Sequence, residues 1–227
     1  MRSRLLLLLG ALLVASGWCV ALLVLRRHAF GAGGYRYLVW NLTLAWIPLL
    51  LALLLLVAYR QRHTVVELLA IGAAWLVFLP NAPYVLTDFI HLGTRHRLFD
   101  SVVFASFAFT ALALGFVSLL VVQLVVTRAA GALMGWLVAL SALALSSVGI
   151  YLGRVQRLNS WDVLQRPRLV AQIARARLED PFGNRYLIGF TIAVCGFLTV
   201  TYVALYALAS LASAVRGEEP PVLLSKR

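Results

Sequence analysis

Side chains able to do chemistry crowd into one short stretch, Asn81-Ala82-Pro83-Tyr84-Val85-Leu86-Thr87-Asp88-Phe89-Ile90-His91. It holds an amide, a phenol, a hydroxyl, a carboxylate and an imidazole. Asp88 and His91 are the candidate catalytic pair, since a carboxylate and an imidazole can together take up and return a proton near neutral pH. With His96, Asp100 or Asp162 they would also offer oxygen and nitrogen donors to a divalent ion. Their spacing matches no regular metal motif, so no metal site is assigned and the cofactor stays unknown. Ser160 is a nucleophile by type only, with no base fixed beside it.

Each of these residues also has a purely structural use. Asn81 can cap a helix, while Tyr84 and Trp161 can anchor at a membrane interface. Asp88 can pair with Arg154 or Arg95 to hold a surface together.

The rest of the chain is apolar scaffold. Of 227 residues 63% are hydrophobic and only 12% charged, with a mean hydropathy of +0.93. Soluble proteins carry about 25% charged residues, so the excess apolar surface must face lipid. The formal charge of +12 comes from nineteen arginines and Lys226 against eight acids. Most of the arginines flank apolar runs, where they set topology and meet anionic head groups. Nucleic acid is therefore not an expected partner. Cys19 and Cys195 lie in apolar runs with no ligand spacing and read as small buried hydrophobes.

A helix needs about 20 apolar residues to cross a hydrocarbon core, and six stretches qualify or nearly so. They are Leu5–Leu25, Tyr37–Tyr59, Thr64–Leu79, Phe99–Val126, Ala132–Leu152 and Asn184–Ala212. The first run is too long for a signal-peptide core and no small-residue cleavage site follows it, so it reads as an uncleaved span. Pro48 predicts a kink in the second span. Thr64-Val65-Val66-Glu67 has capping-box spacing at the start of the third. Asp100 or Ser101 is the expected N-cap of the fourth. Gly149-x-x-x-Gly153 and Ala142-x-x-x-Ser146 suit close helix packing in the fifth, and Tyr202 and Tyr206 share a face of the sixth.

The fold class is thus an all-α integral membrane bundle of about six transmembrane helices, the third broken at Pro80/Pro83. Leu79 and Ala82 each precede a proline and are pushed away from helical angles. Asn81 then caps a second helix with Pro83 in its first turn, carrying Tyr84, Asp88 and His91 on one face at i, i+4 and i+7. An amphipathic helix over Pro167–Leu178 is expected at the interface within the 153–183 loop. Residues 1–216 make one transmembrane domain, and 217–227 a disordered tail.

Six spans bring the loops 1–2, 3–4 and 5–6 to one face of the membrane. Asn41 from span two, Asn81, Tyr84, Asp88 and His91 after span three, and Arg154, Asn159, Trp161 and Asp162 after span five then form the candidate ligand-binding set. That face carries twelve Lys and Arg residues against eight on the other. The positive-inside rule makes it cytoplasmic.

The blocks Trp40-Asn41-Leu42-Thr43-Leu44-Ala45-Trp46-Ile47-Pro48, Phe78–Leu92 and Gly149-Ile150-Tyr151-Leu152-Gly153-Arg154…Asn159-Ser160-Trp161-Asp162 resemble those of a bacterial membrane-protein family catalogued as domain of unknown function 1361. The resemblance covers about residues 35–210. Leu158, before Asn159, departs from the aromatic expected there. Membership would imply a multi-pass protein of the bacterial inner membrane and brings no activity with it. Three functions fit: binding or transport of a polar or anionic solute or lipid head group, an enzyme acting on a lipid-linked substrate, or an accessory protein docking another membrane protein.

Overall fold

The structure, a computed structural model, describes residues 2–31, 35–155 and 185–215 with a few positions between 165 and 183. Among these residues there is no strand. The helices are α1 (Arg2–Phe30), α2 (Arg36–Arg60), α3 (Val65–Phe78), a single turn α4 (Asn81–Tyr84), a 3₁₀ helix (Val85–His91), α5 (Arg97–Ala130), α6 (Ala132–Val155) and α7 (Arg185–Val215). Six helical segments are long and apolar enough to cross a membrane, the third running from Val65 to His91. Most of the expected interfacial helix over 167–178, and the tail from Gly217, lie outside the described residues.

Two compact units make up the chain, Met1–Leu119 and Leu120–Arg227. In the first, α2 packs against α3, α4 and the 3₁₀ helix. Its core includes Leu38, Leu42, Ala45, Leu49, Phe104, Phe107 and Leu114, all nearly inaccessible. Lipid tails are as apolar as these side chains, so burial here supplies close van der Waals contact rather than hydrophobic driving force. Directional bonds therefore matter more. Cys19 Sγ meets Thr110 Oγ1 at 3.4 Å, Trp46 donates to Ser16 Oγ at 3.2 Å, and Trp75 donates to Ser118 Oγ at 3.3 Å. Conversely Leu7, Val14, Val66, Leu69 and Phe109 are widely exposed, as side chains facing lipid would be.

Helix starts follow local chemistry in one case and override it in another. Thr64 caps α3 through a complete capping box, its Oγ1 accepting from the Glu67 amide at 3.3 Å while Glu67 Oε2 accepts from the Thr64 amide at 2.9 Å. Asp100 and Ser101 do not cap α5, because that helix begins at Arg97 and both lie inside it. Pro48 is buried within α2, which runs through it as one helix.

The stretch around Pro80 departs from the sequence expectation in three respects. Leu79 (φ −53°, ψ −40°) and Pro80 (φ −58°, ψ −23°) both keep right-handed helical angles, so the steric bias against a helical residue before proline is overridden at Leu79. Asn81 is not an N-cap; its Nδ2 donates back to the Phe78 carbonyl at 2.9 Å. That carbonyl would ordinarily take the Ala82 amide, which instead bonds Leu79 O at 3.2 Å. Beyond Tyr84 the chain tightens into a 3₁₀ helix instead of resuming as α-helix. A 3₁₀ helix aligns residues three apart, so Val85, Asp88 and His91 are in line and Tyr84 is rotated away from them.

The α4 turn is pressed against α5 at a glycine. A Cβ on Gly115 would lie 2.8 Å from the Ala82 Cβ. Gly115→Ala should therefore destabilise by about 1–3 kcal/mol through overpacking, despite alanine's better helix propensity. Gly189→Ala, where a Cβ meets nothing within 4 Å, should be neutral or slightly stabilising. Thermal melts of the two purified variants check this pair, and equal melting would contradict it.

Candidate functional site

One end of the first unit concentrates buried polar groups. α1 ends in Arg26-Arg27-His28, which an apolar helix would ordinarily leave in water. Arg27 and His28 are exposed, but Arg26 turns inward and is only 9% accessible. Its Nε donates to Asp100 Oδ1 at 2.5 Å and its Nη2 to Oδ2 at 3.1 Å. Tyr35, just before α2, donates its hydroxyl to Asp100 Oδ2 at 3.0 Å and accepts from the Gly93 amide at 3.2 Å. The Arg26 guanidinium carbon lies 4.3 Å from the centroid of the Tyr35 ring. Asp100 thus has both oxygens satisfied at 1% exposure, which makes a buried carboxylate tolerable.

This network joins four separate pieces of chain: the end of α1, the start of α2, the Gly93 loop and the start of α5. Gly93 fits there because it lacks a side chain; a Cβ would come within 3.1 Å of the Tyr35 hydroxyl. Around it Phe30 stacks on His96 with centroids 4.0 Å apart and meets Phe99 edge-on at 5.3 Å.

A second acid lies beside the first network. Asp88 is 1% exposed, and Asn41 donates Nδ2 to its Oδ2 at 2.8 Å. That bond fastens the 3₁₀ helix to the first turn and a half of α2. His91, the last residue of the 3₁₀ helix, is exposed and packs edge-on against Tyr37 at 5.6 Å. Thr87 Oγ1 donates to the Tyr84 carbonyl at 2.7 Å, tightening the turn where α4 passes into the 3₁₀ helix.

Of the residues singled out in the sequence, Asn41, Asp88 and His91 are gathered here through α2. Tyr84 and Asn81 are half-buried nearby in the chain, and Asn81 serves the backbone of α3. The 3₁₀ pitch puts Asp88 and His91 three residues apart on one line, with His91 exposed beyond buried Asp88. Arg154 is half-buried in the last turn of α6, in the second unit. Asn159, Ser160, Trp161 and Asp162 lie outside the described residues. Among the described residues no three His, Cys, Asp or Glu side chains come together in a way that could hold a metal ion.

Sequence reasoning missed Arg26, Tyr35 and Gly93, and assigned Asp100 to the wrong task. A usable signal was present: counting spans puts the end of span one and the start of span four on the same face. Arg27, Arg36, Arg95 and Arg97 were equally eligible partners, and only packing selects Arg26.

The family model described as "Protein of unknown function (DUF1361)" matches residues 40–203, and the chain belongs to that family. No curated protein and no solved structure matches it.

Arg26→Gln should leave Asp100 buried without its countercharge and cost about 3–5 kcal/mol, seen as a large fall in melting temperature or yield. The double replacement Arg26→Met with Asp100→Leu should recover most of that loss, since it removes both charges. If the double variant melts no higher than Arg26→Gln, the pair is not what holds this end together.

Proposed function

We propose that this end of the first unit binds a phosphate-bearing lipid head group or a similar anionic solute at the membrane interface. The observation that carries the reading is the pairing of a rigid, buried polar floor with an exposed basic rim. The floor is Asn41 bonded to Asp88 beside the Arg26–Tyr35–Asp100 network. Arg27, Arg36, Arg95 and Arg97 adjoin the floor residues in sequence and are all exposed. A guanidinium suits phosphate because its planar donors can bond two oxygens at once. His91 and Asn41, which remain accessible, would take the polar groups of the same head group.

Asp88 itself is too deeply set to be the first group a ligand meets. Its part in this reading is to orient Asn41 by fixing one amide hydrogen, leaving the Asn41 carbonyl oxygen to accept from a hydroxyl or amine. A bacterial inner membrane would supply the anionic lipid.

The test is native mass spectrometry of the purified protein supplied with phosphatidylglycerol or phosphatidylcholine. The wild type should retain the anionic lipid in preference. Arg36→Gln with Arg95→Gln should lose about tenfold in that preference, equivalent to roughly 1.4 kcal/mol, and Asn41→Ala should lose part of it, with melting unchanged for the arginine variants. Equal retention of both lipids, or unaltered retention by the arginine variants, rules the reading out.

A further inference from the structure

In the second unit, α5, α6 and α7 meet around a group of polar side chains that the head-group site does not use. α5 turns into α6 at Gly131 (φ +92°), and a Cβ on Gly135 would collide with Thr127 Oγ1 and come within 3.2 Å of the Gln123 carbonyl oxygen. The two helices are therefore packed closely and run in opposite directions. α7 also runs opposite to α6, since Tyr151 meets Tyr186 and Phe190 at one end while Trp136 meets Tyr202 and Tyr206 at the other. It follows that α5 and α7 are parallel, with Gln123 and Thr127 one turn apart on the first and Tyr202 and Tyr206 one turn apart on the second.

The two turns form two rungs between parallel helices. In the first rung the Tyr202 hydroxyl donates to Gln123 Oε1. In the second, Thr127 and Tyr206 occupy the corresponding places, yet Thr127 Oγ1 and Tyr206 Oη are both buried with no hydrogen-bond partner among the described residues. Gln123 Nε2 is in the same condition, on a side chain with 0% exposure, and Tyr206 is 5% exposed. Leaving one such buried group unsatisfied costs about 1–3 kcal/mol. Three such groups on adjacent turns of facing helices can share one partner.

We propose that the second rung is closed by one bound water, held by Thr127 Oγ1, Tyr206 Oη and Gln123 Nε2. Three partners is the usual number for a buried water. A water can accept from the amide while exchanging hydrogen bonds with both hydroxyls. It is neutral, so it enters without the desolvation cost of an ion. Ser210 and Tyr206 are also linked, but through the Tyr206 backbone carbonyl at 2.9 Å, so removing the phenol hydroxyl breaks no protein hydrogen bond.

Tyr206→Phe and Thr127→Val, measured in the full-length purified chain, test this. Each should lower the melting temperature by about 2–4 °C, the shift expected for losing one ordinary hydrogen bond in a chain of this size. The double variant should fall little further than the worse single one, because both remove the same water. Hydroxyl-radical labelling in oxygen-18 water should mark Tyr206 with the heavy isotope despite its burial, and Thr127→Val should lose that mark. Unchanged or raised melting in Tyr206→Phe, additive losses in the double variant, or no heavy-isotope mark on Tyr206 would each overturn the proposal. A guest hydroxyl drawn from lipid or detergent would give the last of these outcomes.

Discussion

Taking a guanidinium and a carboxylate out of water costs several kcal/mol each, and only close geometry with further hydrogen bonds offsets it. Arg26 and Asp100 meet that condition through two contacts to the guanidinium and a third from Tyr35. Because the pair is so costly to break, four chain segments are held where they meet it. Tyr35 then fixes Gly93, which sets where the 3₁₀ helix must end. Asn41 fastens the same helix at Asp88 from the other side. A short 3₁₀ helix has poorer hydrogen-bond geometry than an α-helix, so these two attachments, with His91 packed on Tyr37, help keep it ordered.

The consequence is a polar floor that does not depend on ligand for its shape. In a membrane protein this division is physically natural. Burial against lipid-like neighbours contributes contact but little driving force, so hydrogen bonds and ion pairs decide which helices stay together. Trp75 with Ser118, Trp46 with Ser16 and Tyr202 with Gln123 repeat the pattern elsewhere. Glycine does the complementary work at Gly115 and Gly135, where helices approach too closely for a side chain.

The elements of this fold were legible in the sequence because span length and hydropathy report directly on crossing a hydrocarbon layer. All six spans stand near where apolar runs place them, and the Thr64–Glu67 cap forms as its spacing dictates. The family, too, was legible from its motif blocks. What failed was the fine conformation after Pro80. A proline rule weighs only local sterics, and at Leu79 packing against the rest of the unit outweighs it. The 3₁₀ pitch beyond Tyr84 is likewise set by contacts with Asn41 and Tyr35, far away in sequence. Arg26 was invisible for a different reason: five arginines at one face are equivalent until side chains have a partner of fixed position.

Electron cryo-microscopy of the protein in phosphatidylglycerol nanodiscs tests the central claim most directly. The account predicts a head-group phosphate beside Arg36 or Arg95, with Asn41 still bonded to Asp88 and Arg26 to Asp100. Density for lipid spread evenly around the helices, or an Asp88 side chain turned away from Asn41, would contradict it.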